Sequence, residues 1–229
     1  MRYTTILFDA DNTLLDFSGS EKQAHKKVSL KYGLDWNESL YKTYSEINDK
    51  WWTLYEKKQF TREEIVINRY KEYLSLLNAN EIDASIFNDE YRHFLAEGRD
   101  VIDGATQTLK EIKALGGKIY IVTNGTVHVQ NSRLSGQEFM KYVDGVQISE
   151  DGGHPKPDVE FFTNLSNKYN VKYNEQTLIV GDSLSSDIKG GNNVNIDTCW
   201  FNPNGKKANS SVKITYEIKR LIEVVDIVK

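Results

Sequence analysis

Near the start of the chain, at residues 6–13, stands Ile-Leu-Phe-Asp-Ala-Asp-Asn-Thr, an apolar run followed at once by two aspartates and a threonine. Because side chains alternate along a strand, carboxylates two residues apart at its end, such as Asp9 and Asp11, face the same way. A second apolar run, Leu-Ile-Val at 178–180, leads through a glycine into Asp182. The carboxyl ends of parallel strands form the ligand crevice of an open sheet, so we expect these aspartates to meet there.

The clustering of these aspartates indicates a metal-assisted reaction. Clustered carboxylates repel one another unless a cation holds them, and hard oxygen ligands suit Mg²⁺. One aspartate could then serve as the nucleophile in phosphoryl chemistry. The first stretch taken alone also fits a simpler interpretation, in which Asp9, Asp11 and Thr13 only cap a helix or form a turn.

Three further elements favour the chemical interpretation. A strand-like run at 118–122 ends at Thr-Asn-Gly at 123–125, Lys156 stands between two prolines, and Asp187 follows Asp182. Taken singly, each has another explanation, because Asn-Gly commonly forms a turn, a lysine is commonly solvated, and aspartates commonly cap helices or form turns. Four such elements together predict a phosphoryl-transfer site. For Asp187 alone, capping of the helix that follows stays an equal alternative.

These residues resemble the haloacid dehalogenase superfamily of aspartate-nucleophile phosphohydrolases. The residues that match its four motifs are, in order, Asp9, Asp11 and Thr13; Thr123; Lys156; and Asp182 with Asp187. A narrower likeness, to the pyrimidine 5′-nucleotidase subgroup of bacterial house-cleaning nucleotidases, rests on residues 9–17, 147–150 and 187–192. The likeness to the superfamily covers the catalytic core from end to end.

The resemblance implies a reaction in two steps. Asp9 would attack phosphorus and form an aspartyl-phosphate. Asp11 would protonate the departing alkoxide and later deprotonate the attacking water. The hydroxyl of Thr123 and the backbone amides of Asn124 and Gly125 would hydrogen-bond the oxygens of the transferring group.

The resemblance also implies how charge is balanced. Mg²⁺ would be held by carboxylates of Asp9 and Asp182 and by the backbone carbonyl of Asp11. Lys156 would supply the positive charge that faces the phosphoryl group. Asp187 would orient Lys156 or a metal-bound water without being a metal ligand itself.

Short apolar runs alternate with amphipathic stretches, which predicts an α/β fold with a Rossmann-like parallel-sheet core. The strand candidates are residues 3–8, 118–122, 146–148, 177–180 and 198–201. One helical face is predicted at Ala105, Leu109, Ile112 and Leu115, and a last helix, entered through Thr215, carries Ile218, Leu221, Ile222 and Val225.

The stretch from 17 to 97 breaks this alternation, because aromatic and charged residues recur there at helical spacing with no convincing strand. We therefore predict a catalytic core of residues 1–16 and 98–229 and an all-helical insert of residues 17–97. In the family this position holds a four-helix cap that closes over the active site, and the resemblance implies the same role here.

Composition narrows the function further. The chain has 229 residues and a net charge of −4, and its basic residues are scattered, which argues against nucleic-acid binding. Its one cysteine, Cys199, lies in a strand-like stretch and is predicted to be a buried core residue. The opening apolar run is too short for a signal peptide and no segment reaches bilayer-spanning length, so we expect a cytoplasmic protein with no membrane association. Nothing in the sequence sets an oligomeric state.

The expected partner is a small phosphorylated metabolite, and the subgroup resemblance implies a nucleoside 5′-monophosphate. A sugar-phosphate phosphatase or a phosphomutase shares the four motifs and is the first alternative. Several aromatic residues of the insert could stack on a nucleobase, although aromatics at helical spacing are more commonly core. These residues are Phe17, Trp51, Trp52, Tyr55 and Phe60.

Other classes fit less well. In a phospho-aspartate signalling receiver the phosphorylated aspartate normally ends a later strand and the acidic pair is contiguous. A dehalogenase has no need of the acid that Asp11 provides. A non-catalytic binding protein is expected to have lost part of the motif set. The set is complete here, with Asp9, Asp11, Lys156 and Asp182 all present.

Overall fold

In a computed structural model, residues 1–208 and 212–229 of the chain are described. They form two compact units, one made of Met1–Phe17 with Arg99–Lys229 and the other of Ser18–Gly98. The insert was predicted to span residues 17–97, so each of its two predicted boundaries lies one residue before the boundary in the structure. The role of the second unit as a cap stays a prediction.

A parallel sheet is the framework of the first unit. Among the described residues it has six strands: β1 (Thr5–Phe8), β2 (Lys118–Thr123), β3 (Gly145–Ile148), β4 (Thr177–Gly181), β5 (Asp197–Phe201) and β6 (Tyr216–Ile218). Their order across the sheet is β3-β2-β1-β4-β5-β6, with every pairing parallel. The predicted α/β fold is confirmed, and β1 and β4, the strands that lead into Asp9 and Asp182, are neighbours.

Helices connect the strands and make up the second unit. They are α1 (Phe17–Lys31), α2 (Glu38–Glu56), α3 (Arg62–Leu76), α4 (Ala84–Ala96), α5 (Ala105–Ala114), α6 (Val127–Leu134), α7 (Ser149–Gly152), α8 (Val159–Tyr169), α9 (Lys189–Asn193) and α10 (Val224–Val228). Short 3₁₀ turns occupy Glu138–Tyr142 and Leu221–Glu223, and one π-helical turn occupies Leu184–Ile188.

The sheet is apolar on both faces because helices cover both. Side chains alternate along β1, so Ile6 and Phe8 pack with α5 and α10 in one hydrophobic cluster. Leu7 points the other way and packs with Phe161 and Phe162 of α8 in a second cluster. Burial on both sides fixes the register of the strands, and with it the position of the residues at their ends.

The second unit contains the four long helices predicted for the insert. Three of them begin at a side-chain cap: Asn37 accepts from the amide of Leu40, Thr61 forms a capping box with Glu64, and Asp83 caps α4. Such caps satisfy amides that a helix leaves without partners at its start, and each is worth about 1 kcal/mol.

A polar network lies inside this unit. Arg69 donates to the side-chain oxygens of Asn48 (2.6 Å) and Asn88 (3.0 Å), and Asn48 donates in turn to Glu21 (3.2 Å). All four residues are buried. Burial raises the pKa of the Glu21 carboxyl to about 7, although Arg69 opposes this rise.

The end of the chain differs from its prediction. Instead of one helix entered at Thr215, residues Tyr216–Ile218 form strand β6, and helical structure begins only at Leu221. The reason is tertiary pairing: Cys199 and Phe201 of β5 pair with residues of this segment, and the hydroxyl of Thr215 accepts from the amide of Thr198. Three residues are too few for periodicity to distinguish a strand from the start of a helix.

Two other predictions concern single residues. Cys199 is fully buried, as predicted, and burial raises the pKa of its thiol to about 12. Leu115 was predicted on the buried face of α5, but it follows the helix and stays 41% exposed. Across the described residues, every helix falls short of the length and apolar character required to cross a bilayer.

Candidate active site

Asp9 and Asp182 are brought together by adjacent strands. The amide of Asp9 donates to the carbonyl of Val180 (2.9 Å), which extends the pairing of β1 with β4 one residue past the strand. Asp182 directly follows β4. A carboxylate oxygen from each of Asp9, Asp182 and Asp187 lies within 4.8 Å of the others. Three carboxyl groups therefore meet at the carboxyl edge of the sheet.

Lys156 brings a positive charge to the same place. Its ammonium donates to Asp9 Oδ1 (2.7 Å), to Asp187 Oδ1 (2.6 Å) and to the carbonyl of Val122 (2.6 Å). These acceptors use all three protons of the ammonium. The side chain is 1% exposed, so it is a buried ion-pair partner and not a solvated surface lysine.

The loop that carries Lys156 is fixed from the side by Asn124. The side-chain amide of Asn124 donates to the Lys156 carbonyl (2.9 Å), and its oxygen accepts from the Lys156 amide (2.8 Å). Asn124 follows β2 directly, so the position of Lys156 is tied to the sheet through two hydrogen bonds.

Asp187 is held in an orienting position. Its second oxygen, Oδ2, accepts from the amide of Ser183 (3.1 Å), while Oδ1 faces Lys156. Gly181 makes room for it, because a Cβ at that position would overlap with the Asp187 side chain. These contacts tie Asp187 to Lys156, and its oxygens also belong to the group of three carboxylates that could hold a metal ion.

The electrostatics of the cluster favour a cation. Burial raises the pKa of Asp9 well above its ordinary value, an effect that Lys156 opposes and the other carboxylates reinforce. Burial and Asp187 likewise raise the pKa of Asp182 to about 7. Burial lowers the pKa of Lys156, but Asp187 and Asp9 outweigh it and the net shift is upward. One ammonium thus faces three carboxylates, and the surplus negative charge and all-oxygen donor set fit Mg²⁺.

Thr123, Asn124 and Gly125 form a turn at the end of β2. The hydroxyl of Thr123, fully buried, accepts from the Gly125 amide (3.1 Å) and from Gln130 Nε2 (3.1 Å). The Gly125 amide, predicted to face a phosphoryl group, is therefore bonded within the turn in this structure. Gly125 is needed for a different reason, because a Cβ there would overlap with the Gln130 side chain.

Asp11 does not join the carboxylate cluster with its side chain. Its Oδ2 accepts from Gln130 Nε2 (2.5 Å), and its Oδ1 forms an ion pair with the guanidinium of Arg133. Neither partner was predicted from the sequence. Their spacing in the sequence could have indicated them, because residues three apart share one face of the helix that follows the Thr123 turn.

Four of the five aromatic residues considered for base stacking are engaged within the second unit. Trp51 donates from its indole nitrogen to Glu72 (2.9 Å) and meets the ring of Phe60 edge to face. Trp52 donates to Asn48 (3.1 Å) and meets Tyr55 in the same way. These contacts account for the positions of all four rings without a ligand.

An aspartate at the end of the first strand, bonded to a buried lysine and beside two further carboxylates, has the chemistry of a carboxylate nucleophile. The chain belongs to the haloacid dehalogenase-like hydrolases, since the sequence model of that family matches residues 3–195.

Relatives of known name agree with this assignment. The chain is 36% identical to YfnB of Bacillus subtilis (strain 168) over 223 residues, which cover 97% of this chain and 94% of YfnB. It is 31% identical to the pyrimidine 5′-nucleotidase PynA of Streptococcus pneumoniae (strain ATCC BAA-255 / R6), covering 99% and 95%. It is 27% identical to the pyrimidine 5′-nucleotidase YjjG of Escherichia coli (strain K12), covering 98% and 97%.

The fold of the chain also matches that of one of these relatives. A crystal structure of YfnB bound to magnesium superposes with a TM-score of 0.94 at 35% identity and covers 100% of both chains. The correspondence therefore includes both units of the chain and not the sheet alone.

Proposed function

We propose that this protein is a Mg²⁺-dependent phosphomonoester hydrolase that acts through an aspartyl-phosphate, with nucleoside 5′-monophosphates as substrates. The observation that carries the proposal is the contact of Asp9 with Lys156 beside Asp182. It supplies a carboxylate nucleophile, a fixed positive charge for phosphoryl oxygens, and an acidic pair for a divalent cation.

In the first step a carboxylate oxygen of Asp9 forms a bond to phosphorus as the bond to the ester oxygen breaks. Asp11 gives a proton to that oxygen, which leaves as an alcohol. Lys156 stabilises the negative charge on the transferring group, and the Thr123 hydroxyl can donate to it.

In the second step a water molecule attacks the phosphorus of the acyl phosphate. Asp11, now ionised, takes a proton from that water, and the bond between phosphorus and Asp9 breaks to release inorganic phosphate. Each proton that leaves Asp11 is thereby returned within one turnover.

Mg²⁺ would be held by Asp9, Asp182 and the backbone carbonyl of Asp11. When bound, it would reduce the repulsion between the Asp9 carboxylate and an anionic phosphate. In this proposal Asp187 orients Lys156 and is not a ligand of the ion, a role supported by its contacts with Lys156 and Ser183.

The substrate class is supported by the two relatives named as pyrimidine 5′-nucleotidases, PynA and YjjG, which match nearly the whole chain. The core residues described above contact only the phosphoryl group and the cation in this proposal. Preference for a base must therefore come from residues outside the four motifs.

The proposal is tested by phosphate release with Mg²⁺ over three sets of substrates: nucleoside 5′-monophosphates, sugar phosphates, and small phosphorylated acids. We expect the highest kcat/KM with a pyrimidine nucleoside monophosphate and no turnover in chelator. Much faster hydrolysis of sugar phosphates would replace the nucleotidase assignment with a sugar-phosphate phosphatase. Transfer of phosphate within a sugar would indicate a phosphomutase, and no turnover of any ester would reject the phosphatase.

A further inference from the structure

We infer that Gln130 and Arg133 are positioning residues, which hold the Asp11 carboxylate where it protonates the leaving group. The inference rests on the proposed phosphatase reaction and adds two residues to it that lie outside the four motifs. It follows from the contacts of Asp11, from the difference in burial between Asp11 and its partners, and from a shared bond with Thr123.

Both oxygens of the Asp11 carboxylate are bonded from the same helix. Gln130 Nε2 donates to Oδ2 at 2.5 Å, and Arg133 Nη1 donates to Oδ1. The two donors are three residues apart on α6, so they present neighbouring groups on one face. One such bond would still let a carboxylate rotate about its final torsion, whereas two bonds to different oxygens fix its plane.

Burial separates the roles of the three residues. The Arg133 side chain is 0% exposed and Gln130 is 1% exposed, while the Asp11 side chain keeps 23% of its surface exposed. Asp11 is thus accessible to a substrate, and its two partners lie beneath it. Buried polar side chains of this size are ordered at a cost, which their bonds to Asp11 help to offset.

Gln130 also connects Asp11 to the second motif. The same Nε2 that donates to Asp11 donates to Thr123 Oγ1 (3.1 Å), and the space for this side chain exists because residue 125 is glycine. Gln130 therefore sets the position of the acid relative to the turn that would face the phosphoryl group. Small errors in such a distance reduce proton transfer steeply, because the acid must lie within hydrogen-bond reach of the leaving oxygen.

A purely structural role for Arg133 is the competing explanation. Its Nη2 donates to the carbonyl of Asp16 (3.4 Å), and its guanidinium lies 5.4 Å from the centre of the Phe17 ring. Arg133 could thus serve only to fasten residues 16–17 to the core. If Arg133 positions Asp11, its substitution should slow only reactions that need a protonated leaving group. If Arg133 is structural, its substitution should slow all reactions alike.

The experiment compares two esters that differ in their need for an acid. The leaving group of a nucleoside 5′-monophosphate is an alkoxide and needs protonation, whereas p-nitrophenolate departs without it. The value of kcat/KM reports on steps up to departure of the alcohol, so the later role of Asp11 as a base does not enter. The variants are Gln130→Met and Arg133→Lys, with Asp11→Asn as the reference for loss of the acid.

For both variants we expect kcat/KM for the nucleotide to fall by about 10²-fold, within the range that a positioned acid contributes, and kcat/KM for p-nitrophenyl phosphate to fall by less than about fivefold. Asp11→Asn should show the same selectivity. In the Asp11→Asn background, adding Gln130→Met should cause little further loss, because residues that act as a unit are not additive.

Equal losses for the two esters, or additive losses with Asp11→Asn, would show that the pair is structural and overturn the inference. Thermal unfolding identifies a variant that fails to fold, and Gln130→Met, which leaves the ion pair of Arg133 with Asp11 in place, decides the question if Arg133→Lys does not fold. Failure of the wild-type protein to hydrolyse either ester would instead reject the proposed function, and this inference with it.

Discussion

Lys156 donates a hydrogen bond of 2.7 Å to Asp9, a residue 147 positions away in the chain. The contact joins the loop before α8 to the end of β1, the strand that lies between β2 and β4 in the sheet. Because Asp187 shares the same ammonium, the lysine is held at two of its protons by carboxylates and at the third by a carbonyl. The nucleophile and the positive charge that would face the phosphate are therefore placed as one unit.

Replacement of Asp9 by asparagine should abolish phosphatase activity without unfolding the protein. The amide oxygen can still accept from Lys156, so no ammonium is left buried without its partner, but an amide cannot form an acyl phosphate. We expect phosphate release at background level and a melting temperature within a few degrees of the wild type. Mass spectrometry of acid-quenched wild-type enzyme should place the phosphate on Asp9, and phosphate on another residue would contradict the assignment.

Mg²⁺ should stabilise the folded protein, because a cation compensates three clustered carboxylates. At a concentration of 100 times Kd the expected gain is about 2.7 kcal/mol, seen as a rise in melting temperature relative to chelator. Asp182→Asn should abolish most of that rise. In chelator the same variant should be as stable as the wild type or more so, because it removes one of the repelling charges.

A matched control for the metal prediction is Asp144→Asn. Asp144 is a carboxylate of the same unit that is paired with Lys113 (2.7 Å) and is not part of the cluster. Its substitution should leave the Mg²⁺-dependent rise unchanged. An equal rise in wild type and Asp182→Asn would place the cation elsewhere.

Stability should depend on pH through Glu21 of the helical unit. Burial raises the pKa of this carboxyl to about 7 from an ordinary value of 4.5, so the folded state binds the proton more tightly than the unfolded chain. This contribution is fully present below about pH 4.5 and is lost as pH rises through 7. Glu21→Gln should therefore gain stability relative to the wild type by on the order of 3 kcal/mol between pH 4.5 and 8.

The measurement is the free energy of unfolding from denaturant titration at pH 4.5, 6 and 8 for both proteins. Glu81→Gln, at an exposed glutamate of the same helical unit, serves as control, and its difference in stability from the wild type should not change with pH. A pH-independent difference between Glu21→Gln and the wild type would show that folding does not raise the pKa of the Glu21 carboxyl.

Much of the core could be predicted from the sequence because its signals are local. Apolar runs that end in aspartate identified β1 and β4, and the alternation of apolar runs with amphipathic stretches predicted the parallel sheet. The position of Lys156 beside Asp9 followed from the motif resemblance, and its burial could not be read from two flanking prolines. Strand β6 was missed because its three residues form a strand only by pairing with β5.

The partners of Asp11 were missed for a different reason. Gln130 and Arg133 are polar residues on a helix, and polar helical residues are usually solvated. Only the tertiary structure turns their side of α6 inward, toward a carboxylate more than a hundred residues earlier. Likewise, the need for glycine at 125 comes from packing against Gln130, whereas the sequence suggested an Asn-Gly turn whose amides face the phosphoryl group.

The last prediction concerns the loop of Lys156. Its backbone amide donates to the side chain of Asn124. Pro155 and Pro157 have no amide hydrogen, so among residues 155–157 only Lys156 has a backbone amide whose hydrogen exchange can be measured. In Asn124→Ala, hydrogen exchange at this amide should become about five- to tenfold faster, the factor for a hydrogen bond of about 1–1.4 kcal/mol. We also expect kcat to fall, because Lys156 is no longer tied to the end of β2.

Asn193→Ala is the matched control, since Asn193 bonds to the adjacent carbonyl of Pro157 (2.8 Å) and not to the Lys156 amide. It removes an asparagine contact from the same loop and should leave exchange at Lys156 nearly unchanged. If Asn124→Ala and the wild type exchange this amide at the same rate, Asn124 does not fix the loop, and a loss of kcat would have to arise from contact of Asn124 with the substrate.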